Sequence, residues 1–137
     1  MEFVIQVAIA LLAVSLAGAQ HLAMLGSVAD RVLASSRPKW QRFQILLLTA
    51  TVGQSLAALI FGFAFVLSMR LGLGEFQEVS QPEFLQVFTF SMVNLTTLGL
   101  GDLVPTAEMK FLAGVEAMTG FLLISCSASH VFQVMRD

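Results

Sequence analysis

Charge is the first thing this chain has little of. Asp, Glu, Lys and Arg supply 12% of its 137 residues, against roughly 25% in soluble domains. Apolar residues make up 57% and the mean hydropathy is +0.85, which excludes an ordinary water-soluble enzyme as the starting point. A basic surplus is also missing: seven Lys+Arg face nine Asp+Glu, a formal charge of −2, so no nucleic-acid surface is offered. A single cysteine excludes an internal disulfide framework, and with only two histidines a structural zinc site lacks its usual ligands. What is left is one small membrane domain.

Crossing a hydrocarbon core about 30 Å thick takes roughly 20 residues of helix, and three stretches reach that length almost free of charge. They run from Phe3 to Ala29, from Phe43 to Met69, and between Lys110 and Arg136 with Glu116 as the only acid inside. In lipid each must be helical, because its backbone polar groups have no water to turn to. A fourth apolar stretch, Phe84 to Leu100, is short for a full crossing and ends in glycines and Asp102. It reads as a re-entrant segment. Ser80-Gln81-Pro82-Glu83 before it has the form of a capping box, with Pro82 in the first turn.

Cation placement sets the orientation. The first loop carries Arg31, Arg37, Lys39 and Arg42 against Asp30, a net +3, while Arg70 to Lys110 carries two cations against Glu75, Glu78, Glu83, Asp102 and Glu108, a net −3. The positive-inside rule puts the first loop in the cytoplasm, the N-terminus and the acidic loops outside, and the C-terminus inside. Ala17-Gly18-Ala19 has the form of a signal-cleavage site, but no cation precedes it and cleavage would strand four cations outside. A retained helix is expected.

Asn94-Leu95-Thr96-Thr97-Leu98-Gly99-Leu100-Gly101-Asp102 carries the chemistry. Glycine at alternate positions permits positive φ, so successive carbonyls can turn to one side and line a pore with oxygens that replace the hydration shell of K⁺. One such strand supplies too few oxygens, which calls for four chains around an axis. The preceding helix points about half a negative charge at the same place, and about twelve net negative charges on the outer loops of a tetramer would gather cations at the mouth.

The run Thr96-Thr97-Leu98-Gly99-Leu100-Gly101-Asp102 resembles the Thr-Thr-Val-Gly-Tyr-Gly-Asp signature of potassium channels. From Phe43 to Met135 the chain looks like the small bacterial two-transmembrane type, with one extra N-terminal helix. The resemblance implies an all-α membrane protein of three transmembrane helices plus a re-entrant pore helix and selectivity-filter strand. An N-terminal helix unit would span 1–36 and a pore domain 37–137, the latter with outer helix 43–69, pore helix 81–96, filter 97–101 and inner helix 108–135. It implies a passive K⁺-selective channel, no enzyme, built as a homotetramer in the bacterial inner membrane. Beyond lipid, K⁺ and three further copies of the chain, no cofactor or nucleic acid is expected. Ions would be held by Thr97, Leu98, Gly99, Leu100 and Gly101, through the carbonyls of Thr97 to Leu100 and the Thr97 hydroxyl. Asn94, Thr96 and Asp102 would support the filter and its outer mouth.

Departures from the pattern thin that support. Leu100 stands where Tyr or Phe is usual, Thr89-Phe90 where some relatives have a tryptophan pair, and Val93 where some have a carboxylate. Asn94, Thr96 or Glu116 is expected to supply replacement struts. The alternatives are a weakly selective cation pore and a non-conducting subunit that keeps the pore fold. Gly114 and Gly120 are small residues for helix contact, and the resemblance makes Gly120, with Gly114 beside it, a candidate gating hinge. Leu71-Gly72-Leu73-Gly74 repeats the glycine spacing without the threonines and reads as a turn. Trp40 and Phe43 read as interfacial anchors, and no arginine repeat suggests voltage sensing.

Overall fold

The structure, a computed structural model, describes residues 1–77, 79–99 and 101–136. Among these described residues four helices follow one another: α1 Glu2–Leu33, α2 Lys39–Arg70, α3 Phe84–Leu95 and α4 Met109–Arg136. α1, α2 and α4 are long and apolar enough to cross a membrane, and α3 is a short apolar helix set between two of them. Each long helix overshoots its charge-free stretch. α2 starts at Lys39 behind the extended Pro38, so Lys39 and Arg42 stand in its first turn, ahead of the charge-free stretch.

α1 buries a stripe of small residues, Ala10, Ala13 and Ala17, spaced at three and four. Small side chains let helices approach closely where apolar burial gives little drive of its own. α2 answers with Gly53, Ala57 and Ala58, all buried. A Cβ on Gly53 would lie 2.9 Å from His21 Nδ1: the glycine leaves room for a buried imidazole, whose Nε2 is 2.9 Å from Ser127 Oγ on α4. α1 is thus packed on both spans of the following unit. At the far end of the bundle, Lys39 Nζ donates to the Met135 carbonyl at 3.3 Å, one of the orphan carbonyls of the α4 terminus.

α2 closes in a Schellman motif. Leu73 N–H reaches the Ser68 carbonyl and Gly72 N–H the Met69 carbonyl, each at 3.0 Å, with Gly72 at φ 72°. The turn expected at Leu71–Gly74 is this motif, which needs a left-handed residue just past the cap. The chain then pairs with the loop before α4: Gln77 N–H with the Val104 carbonyl and Thr106 N–H with the Glu75 carbonyl, both 2.8 Å. Isolated bridges join Phe76 to Val79 and to Pro105. This knitting holds Ser80 in a bend, and so the helix cap lies further on than the sequence suggests. Glu83 is the N-cap, and its N–H donates to Gln86 Oε1 at 2.8 Å. Pro82 precedes the cap instead of occupying the first turn, and α3 covers 84–95 rather than 81–96.

Candidate functional site: the pore-helix terminus and the glycine run

α3 ends by the same device as α2, with one substitution of consequence. Leu98 N–H donates to the Val93 carbonyl at 3.2 Å and Thr97 N–H to the Asn94 carbonyl at 2.9 Å, again a Schellman closure. The residue in the left-handed position is now Thr97, at φ 59°. A β-branched residue there is strained, at a cost of order 1–3 kcal/mol. Two residues on, Gly99 returns to positive φ at 66°. The foot of the glycine run therefore turns left-handed at 97 and again at 99, only the second time with glycine. Among the described residues this run has no strand partner.

Thr96, Thr97, Leu98, Gly99, Gly101 and Asp102 are all exposed on the chain, with Leu98 at 64%. Leu100, expected among the ion ligands, lies outside the described residues. The Thr96 hydroxyl bonds back to its own helix, to the Val93 carbonyl at 2.9 Å. It is no strut between elements.

Asn94 and Glu116 do meet. Asn94 Nδ2 donates to Glu116 Oε2 at 2.6 Å and to the Ala113 carbonyl at 2.8 Å, tying α3 to α4. Ser91, one turn earlier on α3, places its Oγ 2.7 Å from the Ala58 carbonyl of α2 and against Glu116 Oε1. Glu116 and Ser91 are fully buried. The acid therefore faces the pore helix, not the outer interface, and Ser91 is a member of the network that sequence reasoning missed. Nothing distinguishes this serine in a list of membrane serines until α2 and α4 are seen on either side of it.

A second support is aromatic. Phe65 of α2, Phe76 of the outer loop and Phe90 of α3 form a triangle with ring centroids 5.2 to 5.9 Å apart, edge-to-face in two of the three pairs, an arrangement worth about 0.5–1.5 kcal/mol per pair beyond area burial. A Cβ on Gly101 would sit 3.7 Å from Phe90 Cδ2, so the triangle backs directly onto the end of the glycine run.

Gly120 and Gly114 part company. A Cβ on Gly120 would fall 1.6 Å from the Leu95 carbonyl oxygen, whereas one on Gly114 meets nothing within 4 Å. Gly120 is the point where α4 touches the terminal turn of α3, one helical turn below Glu116. On the other side of that contact, Thr97, Ala117, Met118, Phe121 and Leu122 line an open, almost wholly apolar hollow beneath the glycine run.

Comparison with known proteins fits this arrangement. Residues 43–137 match the family described as "Ion channel", a match that takes in α3 and the glycine run between α2 and α4. No curated protein and no solved structure matches the chain significantly. A short helix turning into a Thr-Thr-x-Gly-x-Gly-Asp run between two apolar spans, within a matched region of more than half the chain, makes this multi-pass membrane protein a member of the ion channel family, in its small, two-transmembrane, potassium-channel-like form.

Proposed function

We propose that the chain forms a K⁺-selective channel as a homotetramer, its ions held by the carbonyls of Thr97, Leu98, Gly99 and Leu100 and by the Thr97 hydroxyl. The supporting observation is the recurrence of left-handed backbone at Thr97 and Gly99 just past the C-terminus of a short helix, where the helix dipole favours a cation. K⁺ gives up water for a ring of backbone oxygens, and four copies are needed to complete the ring. Asp102 and the acidic loops stand at the outer mouth, the basic first loop in the cytoplasm, and the apolar hollow below Thr97 faces the axis. The reaction is passage down a gradient, with no cofactor beyond the permeant ion.

Purified protein in vesicles tests this through the reversal potential under a K⁺/Na⁺ gradient. The expected result is strong K⁺ preference with Ba²⁺ block. Gly99→Ala forces an L side chain to φ 66°, a cost of about 1–2 kcal/mol in each subunit, and should abolish the preference. Equal K⁺ and Na⁺ currents would replace the reading with a weakly selective cation pore. Silence from an intact tetramer would make the chain a non-conducting subunit.

A further inference from the structure

Glu116 is completely buried in the third span, where an ionised side chain is costly unless a counter-charge meets it. Its partners are neutral. Asn94 commits both hydrogens of its amide, one to the Ala113 carbonyl and one to Glu116 Oε2. Ser91 has one hydroxyl hydrogen, yet its Oγ touches two oxygens that accept: the Ala58 carbonyl at 2.7 Å and Glu116 Oε1. A carboxylate has lone pairs only. With Glu116 ionised, one of those two oxygen pairs is left without a hydrogen between them. With a hydrogen on Oε1, the carboxyl donates to Ser91, Ser91 donates to Ala58, and every contact holds one hydrogen.

We propose that Glu116 is a positioning residue for the filter, kept as a neutral carboxylic acid that clamps the pore helix to the inner helix through Ser91 and Asn94. The clamp sits where it matters. Asn94 is the residue whose carbonyl accepts from Thr97 N–H in the closing turn of α3, and one turn further along α4 the backbone of Gly120 abuts the Leu95 carbonyl. Two contacts from one face of α4 thus set both the rotation and the height of the helix end from which the glycine run departs. In this way tilting of α4 would reach the filter directly, through these packed contacts rather than through the loop.

The role in the filter rests on the channel reading, while the acid form does not, and the experiment separates them. Infrared spectra of the whole protein with ¹³C-labelled glutamate at neutral pH should show a carboxylic-acid carbonyl band that disappears in Glu116→Gln. The glutamine amide can donate to Ser91 and accept from Asn94, so E116Q should keep the K⁺/Na⁺ permeability ratio within about twofold, whereas Glu116→Leu should lower it about tenfold. If E116L does not assemble, Asn94→Leu reads the same clamp from the other side, with a several-fold loss expected. A carboxylate band at position 116, or E116Q as damaged as E116L, overturns the proposal. A wild-type protein that passes no ion would sink the channel reading and the filter role with it, and leave the band to decide the acid form.

Discussion

Replacing Gly120 by alanine is the sharpest test of how this chain holds the glycine run proposed as its filter. The added methyl would lie 1.6 Å from the Leu95 oxygen, 2.5 Å from its carbonyl carbon and 2.9 Å from Leu95 Cγ. A carbon and a carbonyl oxygen settle at about 3.3–3.6 Å, so α3 and α4 must separate by roughly 1.7 Å at this point. The obstruction is backbone, which cannot rotate aside as a side chain does. Overpacking of this kind costs typically about 1–3 kcal/mol, and the upper end applies here. Because the moved group is the last turn of α3, the displacement reaches Thr97 two residues later. Thermal unfolding in detergent, read beside the K⁺/Na⁺ permeability ratio, should show a lower Tm and a weakened ratio together. A hinge role predicts something else, slower opening with an unaltered filter, and the two are separable in single-channel records. Gly114→Ala is the control. It meets nothing within 4 Å and removes a poor helix former, so it should be neutral or stabilising by up to about 1 kcal/mol. Wild-type Tm and selectivity in Gly120→Ala would refute the contact argument outright.

Thr97→Gly should stabilise the folded chain by about 1 kcal/mol, since glycine accepts φ 59° without the β-branched penalty, while weakening ion selectivity through loss of the hydroxyl; a fall in Tm would show that the left-handed turn is not strained. Gly53→Ala should destabilise by about 1–2 kcal/mol, because its methyl falls 2.9 Å from His21 Nδ1, and the same change made on a His21→Ala background should cost close to nothing. A double-mutant cycle without coupling would mean the imidazole simply swings away. Asn94→Leu removes donors from Ala113 and Glu116 and should cost about 2 kcal/mol, non-additive with Glu116→Leu because both act on one network. Additive losses in denaturant titrations would show that the pair does not work as a unit.

The parts of this fold that were legible were those written in continuous stretches. Three spans follow from runs of more than 20 residues with at most one charge each, and the turn at Gly72 from glycine spacing. The short helix shows in its apolar length, but its start does not. Ser80-Gln81-Pro82-Glu83 and Glu83-Phe84-Leu85-Gln86 are both credible caps, and the choice was made by Phe76 and Gln77 pairing with Pro105 and Val104, residues almost 30 apart. The clamp was half legible. Asn94 and Glu116 stand out as polar residues in apolar surroundings, whereas Ser91 and the Phe65–Phe76–Phe90 triangle exist only once α2, α3 and the outer loop are brought together. His21 was invisible for the same reason, since its role depends on the absence of a side chain at Gly53.

These supports share one geometric cause. A helix that ends inside the membrane leaves its last carbonyls without water, and α3 answers with a closing turn that strains Thr97. Strain at a functional segment persists only where the surroundings over-determine it. Here three elements do so from three directions: α4 through Glu116 and Gly120, α2 through the Ala58 carbonyl and Phe65, and the outer loop through Phe76. None of the three reaches the glycine run by a direct hydrogen bond among the described residues. Instead they fix the helix from which it departs and the ring of Phe90 behind Gly101. Rigidity of the glycine run is therefore inherited from packing one layer back, and on the channel reading proposed above this is the arrangement expected of a sequence that has Leu100 where a tyrosine hydroxyl would otherwise provide an anchor. It follows that selectivity in this chain should respond more strongly to changes at Ser91, Glu116 and Gly120, which touch no ion, than to changes in the exposed side chain of Leu98.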